Sequence, residues 1–181
     1  MIGAVLGKLA TEVALDRVDL LAEPVRAALV GWPSAGEVLV APIDPDLADT
    51  AAFCAAYDVG LDVSANCVVV AGKRAGETRY AACLVLATTR ADVNTAARKL
   101  LDVRKASFAP MAEAVELTGM EYGGITPIGL PAGWPVYVDA AVAAAPAVVI
   151  GSGIRASKIV IPGRILLELP DAVVVDGLGL A

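Results

Sequence analysis

A chain of 181 residues, 57% hydrophobic and 19% charged, is long and apolar enough to bury one core. It contains no histidine, which excludes Ser-His-Asp and Cys-His catalysis, histidine-ligated zinc and the usual general base at neutral pH. The net charge of -6 is unevenly spread: residues 1–62 carry three basic and ten acidic side chains, residues 73–105 eight and three, and residues 106–181 three and seven.

Taken in chain order, residues 1–35 read as an N-terminal extension that packs on or precedes a main domain over 36–181. Within it "LLAEPVRAALVG" predicts a helix ending at Gly31, and "GWPSAG" predicts a turn. "EVLVAPI" predicts a strand. "DPDLADTAAFCAAYDVG" predicts a helix with Asp44 or Asp46 as its cap and Gly60 beyond its end. "ANCVVVAG" and "RYAACLVLATT" are apolar, β-branched runs joined by "KRAGET", the pattern of a hairpin of central strands. "TRADVNTAARKLLDV" predicts a helix capped near Thr89 or Asp92, and "APMAEAVELTG" another that stops at Gly119. "PVYVDAAV", "AAPAVVIGSG", "SKIVIPG" and "RILLELP" predict four short strand-like segments. The connections mix hairpins with crossovers, so the expected fold is α/β with a mixed sheet, curled and barrel-like, flanked by helices.

Cys54, Cys67 and Cys83, spaced thirteen and sixteen apart, fit neither a disulfide framework nor a CxxC metal site. They read as reduced, buried hydrophobes, and no metal or cofactor is expected. The longest apolar run, Ala140 to Ile150, is eleven residues broken by Pro146, about half a membrane span. The apolar run before Lys8 is too short for the core of a signal peptide. A cytoplasmic protein with no membrane partner is expected.

Residues 118–131, "TGMEYGGITPIGLP", hold four glycines and two prolines. Gly123 and Gly124 leave the backbone bare to a ligand, and Pro127 and Pro131 stiffen the C-terminal half of the stretch. Such a loop presents N–H and C=O groups in fixed directions, which suits stabilising an oxyanion or holding an amino group without a catalytic side chain. A purely structural turn is the competing reading. No GxGxxG or GxxxxGK[ST] spacing is present.

"ELTGMEYGGITPIGLP", followed by "VYVDAAV" and "VVIGSGIRA", resembles the YbaK/ProX family of aminoacyl-tRNA deacylases, relatives of the prolyl-tRNA synthetase editing domain, over about Asp44 to Asp176. The resemblance implies a mixed α/β fold around a curled sheet. It also implies hydrolysis of the ester joining a wrong amino acid to tRNA, of the Ala- or Cys-tRNA(Pro) type. It places Gly123, Gly124, Thr126 and Pro127 in the GxxxP motif that grips the aminoacyl group, and Asp139, Ser152 and Gly153 around the same pocket. Tyr122, beside the glycines, is a candidate to stack on the terminal adenine. Glu121 is a weaker candidate as general base.

An aminoacyl ester is an activated carbonyl, so a positioned water suffices and the missing histidines are no obstacle. The resemblance implies tRNA as partner, with an aminoacyl-tRNA synthetase as a further one, and gives Arg98, Lys99, Arg104 and Lys105 a role as phosphate contacts. Where the family opens its first central strand with a lysine, this chain has Asn66, which offers a hydrogen-bond donor and acceptor but no charge. Two readings therefore stand, an active deacylase and a catalytically weak or inactive module that binds tRNA or an aminoacyl-like ligand.

Overall fold

The computed structural model describes residues 6–181; residues 1–5 of the expected N-terminal extension lie outside the described residues. Strand β1 (Glu12–Val13), helix α1 (Glu23–Leu29, with Pro24 in its first turn) and strand β2 (Leu39–Pro42) come first. Helix α2 (Thr50–Tyr57) precedes the hairpin of β3 (Ala65–Arg74) and β4 (Glu77–Leu86). Then come β5 (Arg90–Ala91), a π-helical turn (Val93–Ala97) running into α3 (Arg98–Leu100), β6 (Ala106–Phe108), α4 (Met111–Thr118) and β7 (Val136–Asp139). The chain closes with α5 (Ala140–Ala144), β8 (Val148–Gly151), β9 (Ser157–Ile161), a 3-10 helix (Gly163–Glu168), β10 (Ala172–Val175) and β11 (Gly179–Leu180).

The hairpin pairs from Ala65 opposite Leu86 to Arg74 opposite Glu77. Its two-residue turn puts Ala75 at φ 51° and Gly76 at φ 82°, the double positive φ whose twist matches that of paired strands. This hairpin centres a five-stranded sheet in the order β10-β7-β4-β3-β6, in which β10, β7 and β4 run parallel and the other pairs antiparallel. A second, fully antiparallel sheet has the order β1-β2-β9-β8, and β5 pairs with β11.

The mixed α/β expectation agrees with this arrangement, but the barrel-like curl does not. Both sheets are open. The larger one ends at three-residue β6 on one side and four-residue β10 on the other, whereas a barrel needs every strand paired on both flanks with a consistent stagger. Among the described residues one isolated parallel bridge, Ser64 to Val149, links the backbones of the two sheets.

The two sheets share an apolar cluster. Val40, Ile159 and Ile161 come to it from the smaller sheet, Leu84, Val136 and Val138 from the larger, and Val25 and Leu29 from α1. The outer face of the smaller sheet, with Val149 and Val160, packs on Phe53 and Cys54 of α2. The outer face of the larger sheet, with Val70, Cys83 and Tyr137, packs on Val93, Ala97 and Leu101. Strand β9 is thus covered on both faces, which is why its apolar residues show no alternation.

Three local expectations need correction. "RILLELP" is a 3-10 turn because Gly163 lies against the α5 carbonyls, where a Cβ would sit 2.1 Å from the Val142 oxygen; the last sheet strand is "AVVV", β10. The predicted 89–103 helix yields its first residues to β5, since Arg90 and Ala91 pair with Leu180 and Gly179. Helix α2 is capped by Asp49, whose carboxylate accepts from the Ala51 and Ala52 amides at 3.2 and 3.4 Å, while Asp44 caps the turn before it.

Candidate functional site

The loop from Gly119 to Pro135 leaves α4 through Gly119 at φ 67° and reaches β7. Its glycine-rich part is clasped to the β8–β9 turn. The Gly153 amide donates to the Gly124 carbonyl at 2.7 Å, and the Glu121 amide donates to the Gly153 carbonyl at 2.8 Å. Glu121 also accepts, through its side chain, from the Arg155 amide at 2.8 Å, so its carboxylate serves as a clamp between the two turns. At Gly124 a Cβ would meet the Ile154 backbone at 2.7–2.9 Å, and at Gly123 (φ 84°) it would meet the Arg155 guanidinium at 2.5 Å. Only glycine allows this approach. The amides of Gly123 and Ile125 have no protein acceptor among the described residues.

Arg155 ties the clasp to the approach to α2, donating to the Tyr122 carbonyl at 3.1 Å and the Pro45 carbonyl at 3.0 Å. On the same side Thr50 donates its hydroxyl to Asn66 Oδ1 at 2.6 Å, and Lys158 from β9 donates its ammonium to the Ala48 carbonyl at 3.1 Å. Lys158 is buried, with Nζ 5.2 Å from the centre of the Phe53 ring. Desolvation holds its pKa below the ordinary lysine value, partly opposed by Cys54 and Asp49 and reinforced by Arg155. Asn66, Thr50, Lys158 and Arg155 therefore surround the start of α2, with the Gly123–Gly124 turn joined to them through Arg155.

The other expected residues divide. Thr126 and Pro127 are buried in the loop, and Thr126 Oγ1 is a buried hydroxyl without a partner among the described residues. Ser152 is fully buried; its hydroxyl is knotted to the Ser157 hydroxyl at 2.6 Å and to the Ile154 carbonyl at 3.1 Å, so it shapes the turn from beneath. Asp139 caps α5 through the Ala141 amide at 2.8 Å and holds β11 through the Gly179 amide at 2.7 Å. Both its carboxylate oxygens are thus used within the fold. Tyr122 is exposed. Cys67 and Cys83 are pushed up by desolvation, Cys83 to about 12, so neither supplies a thiolate at neutral pH. Among the described residues no group of three or more His, Cys, Asp or Glu is placed to hold a metal ion, and no helix is long and apolar enough to cross a membrane.

The basic island divides as well. Arg74 and Arg79 both bind the Asp102 carboxylate, at 3.0 and 3.3 Å, and Arg98 Nε donates to the Asn94 carbonyl at 2.8 Å. Lys99 is exposed on α3. Arg104 and Lys105 join Lys73, with Thr78, Ser107 and Glu113, around a cavity of about 730 Å³.

Sequence reasoning missed Arg155, Lys158 and Thr50. The available signals were a lysine inside the apolar run "SKIVI" and an arginine two places after Gly153, in a C-terminal third with only three basic residues.

The fold is thus a mixed α/β domain in which a glycine-rich turn is clasped to the β8–β9 turn and tied through Arg155 to the start of α2, where the buried Lys158 amine lies. The profile of the aminoacyl-tRNA editing domain family matches residues 44–169, and the chain belongs to that family. Among solved structures, one of a protein provisionally described as a trans-editing enzyme for prolyl tRNA synthetase is similar with a TM-score of 0.73 and 24% identity, over 88% of this chain and 97% of that one. The structure of hypothetical protein APE2540 is similar with a TM-score of 0.66 and 24% identity, over 79% of this chain and 90% of that one. At these identities the likeness is one of fold. Comparison with curated proteins gives no match.

Proposed function

We propose that this chain is an editing deacylase that hydrolyses the ester of mischarged aminoacyl-tRNA, of the Ala- or Cys-tRNA(Pro) type, in the cytoplasm. The observation that carries the reading is the clasped turn with the amides of Gly123 and Ile125 left without protein acceptors among the described residues in a chain of the editing family. Backbone donors held this rigidly stabilise the oxyanion formed when water adds to the ester carbonyl. The ribose oxygen then leaves carrying a proton, and no enzyme nucleophile is consumed. Tyr122 is exposed at the edge of the turn and is assigned to stack on the terminal adenine. Arg104 and Lys105, with Arg98 and Lys99 on the neighbouring helix, are assigned to the tRNA phosphates, and an aminoacyl-tRNA synthetase is the further partner.

The test is deacylation across a panel of mischarged tRNAs. Release of alanine or cysteine from tRNA(Pro) supports the proposal; a folded protein that leaves the whole panel intact overturns it. A second reading, a binding module of little activity, is favoured by Asn66, whose Oδ1 is already bound by Thr50. Asn66→Lys separates the two. A large gain of hydrolysis favours the degenerate site, and a loss favours a site adapted to asparagine.

A further inference from the structure

On the far side of Pro127 lies a second cavity, of about 510 Å³, within the size range of small-ligand pockets. One wall comes from the end of α1 and the turn after it, including Trp32 and Pro33; another comes from Leu130, Pro131 and Trp134. The family profile begins at residue 44 and ends at residue 169, so the Trp32 wall lies outside the residues it matches. The walls are stiff. Prolines fix the backbone on both sides, and the Trp134 ring is stacked on Tyr80 with centroids 4.9 Å apart.

The polar groups facing this apolar space are of one sign. Glu168 and Asp171 line it, and no lysine or arginine among the described residues does. Trp32 Nε1 at 2.8 Å and the Ser34 hydroxyl at 2.7 Å both donate to Oε2 of Glu168. These bonds hold its pKa below the ordinary carboxylate value, so it is charged at neutral pH, and they fix the indole beside it. Oε1 has no hydrogen-bond partner among the described residues. Arg164 is near enough to favour the charged form but is itself bound to Glu37.

The Glu168 carboxylate is solvent-exposed and bound to one indole, with the second indole lining the same cavity. It attracts a cation through charge, screened in part by water, and through the ring quadrupole. We propose that this cavity is a binding site for a small organic cation with an apolar body, such as an arylalkylamine, its ammonium group on Glu168 and its hydrocarbon between Trp32 and Trp134. This inference does not rest on the editing reading.

The chain has only two tryptophans, and both line this cavity, so tryptophan emission reports on it directly. The full chain is titrated with phenethylamine, 2-phenylethanol and phenylacetate. The expected result is a saturable emission change with phenethylamine, binding weaker by about tenfold or more for the neutral alcohol, and none for the anion. Glu168→Gln keeps an acceptor for Trp32 and Ser34 and retains the fold by circular dichroism, but it is expected to lose the preference for the amine. Equal binding of amine and alcohol, no saturable change up to about 10 mM amine, or an unaltered preference in a folded Glu168→Gln protein overturns the proposal.

Discussion

Replacing Gly124 by alanine is the sharpest perturbation of the clasp. The added Cβ falls 2.7, 2.8 and 2.9 Å from the oxygen, carbon and nitrogen of Ile154, about 0.5–0.7 Å short of ordinary contact at 3.4 Å. All three are backbone atoms, so no side-chain rotation relieves the overlap. The two turns must separate, which strains the 2.7 Å bond from the Gly153 amide to the Gly124 carbonyl. Overpacking of this kind costs about 1–3 kcal/mol, and a weakened buried hydrogen bond adds about 1 kcal/mol. A total of about 3 kcal/mol corresponds to a Tm lower by roughly 6–12 °C for a domain of this size. Gly133→Ala serves as control, because its φ of 82° is strained for alanine but nothing lies within 4 Å; it is expected to lose only about 1–2 kcal/mol. The assay is urea unfolding followed by circular dichroism, paired with deacylation of mischarged tRNA. Gly124→Ala should lose far more activity than its residual folded fraction explains. A variant within about 0.5 kcal/mol of wild type, with unchanged activity, would refute the clasp as the basis of the site.

Thr126→Val removes a buried hydroxyl that has no partner among the described residues, so stability in urea should rise by about 1 kcal/mol or more; a fall would show that the hydroxyl is bonded in solution. Lys158→Met removes a buried amine whose folded pKa lies below its ordinary 10.5. The unfolded chain binds more protons between those two values, so the penalty is full below the folded pKa and fades as pH rises through 10.5. The variant should therefore exceed wild type in stability most at neutral pH, and a gap that widens toward high pH would contradict the burial argument. Alanine at both Arg104 and Lys105 should weaken tRNA binding and lower the slope of log K against log salt by about 0.7–0.9 for each phosphate that is no longer neutralised. Affinity and slope equal to wild type would move the tRNA elsewhere.

Much of the central framework was legible because it is written locally. The ten-residue runs of β3 and β4 and the "AG" turn between them form the hairpin that their composition predicts. Helix α4 stops at Gly119, where a left-handed residue ends it. Less legible were elements that depend on distant partners. Arg90 and Ala91 leave a helical pattern because β11, near the other end of the chain, pairs with them. "RILLELP" coils because Gly163 is pressed against α5. Sheet closure has no local signature, since it depends on whether the outermost strands find each other.

At the site the division follows the same line. The sequence by itself determined the chemistry available: no histidine, a backbone-rich loop, and glycines where a side chain would block approach. Glycine content and charge are properties of residues, readable one at a time. Only the tertiary structure decided which polar groups are spent inside the fold and which remain for a ligand. Asp139 and Ser152, attractive in sequence, are consumed by the α5 cap and the β8–β9 turn. Lys158 and Arg155 are carried to the start of α2 by strand pairing. Such allocation depends on interactions between residues far apart in the chain, such as Arg155 with Pro45, which local pattern does not encode.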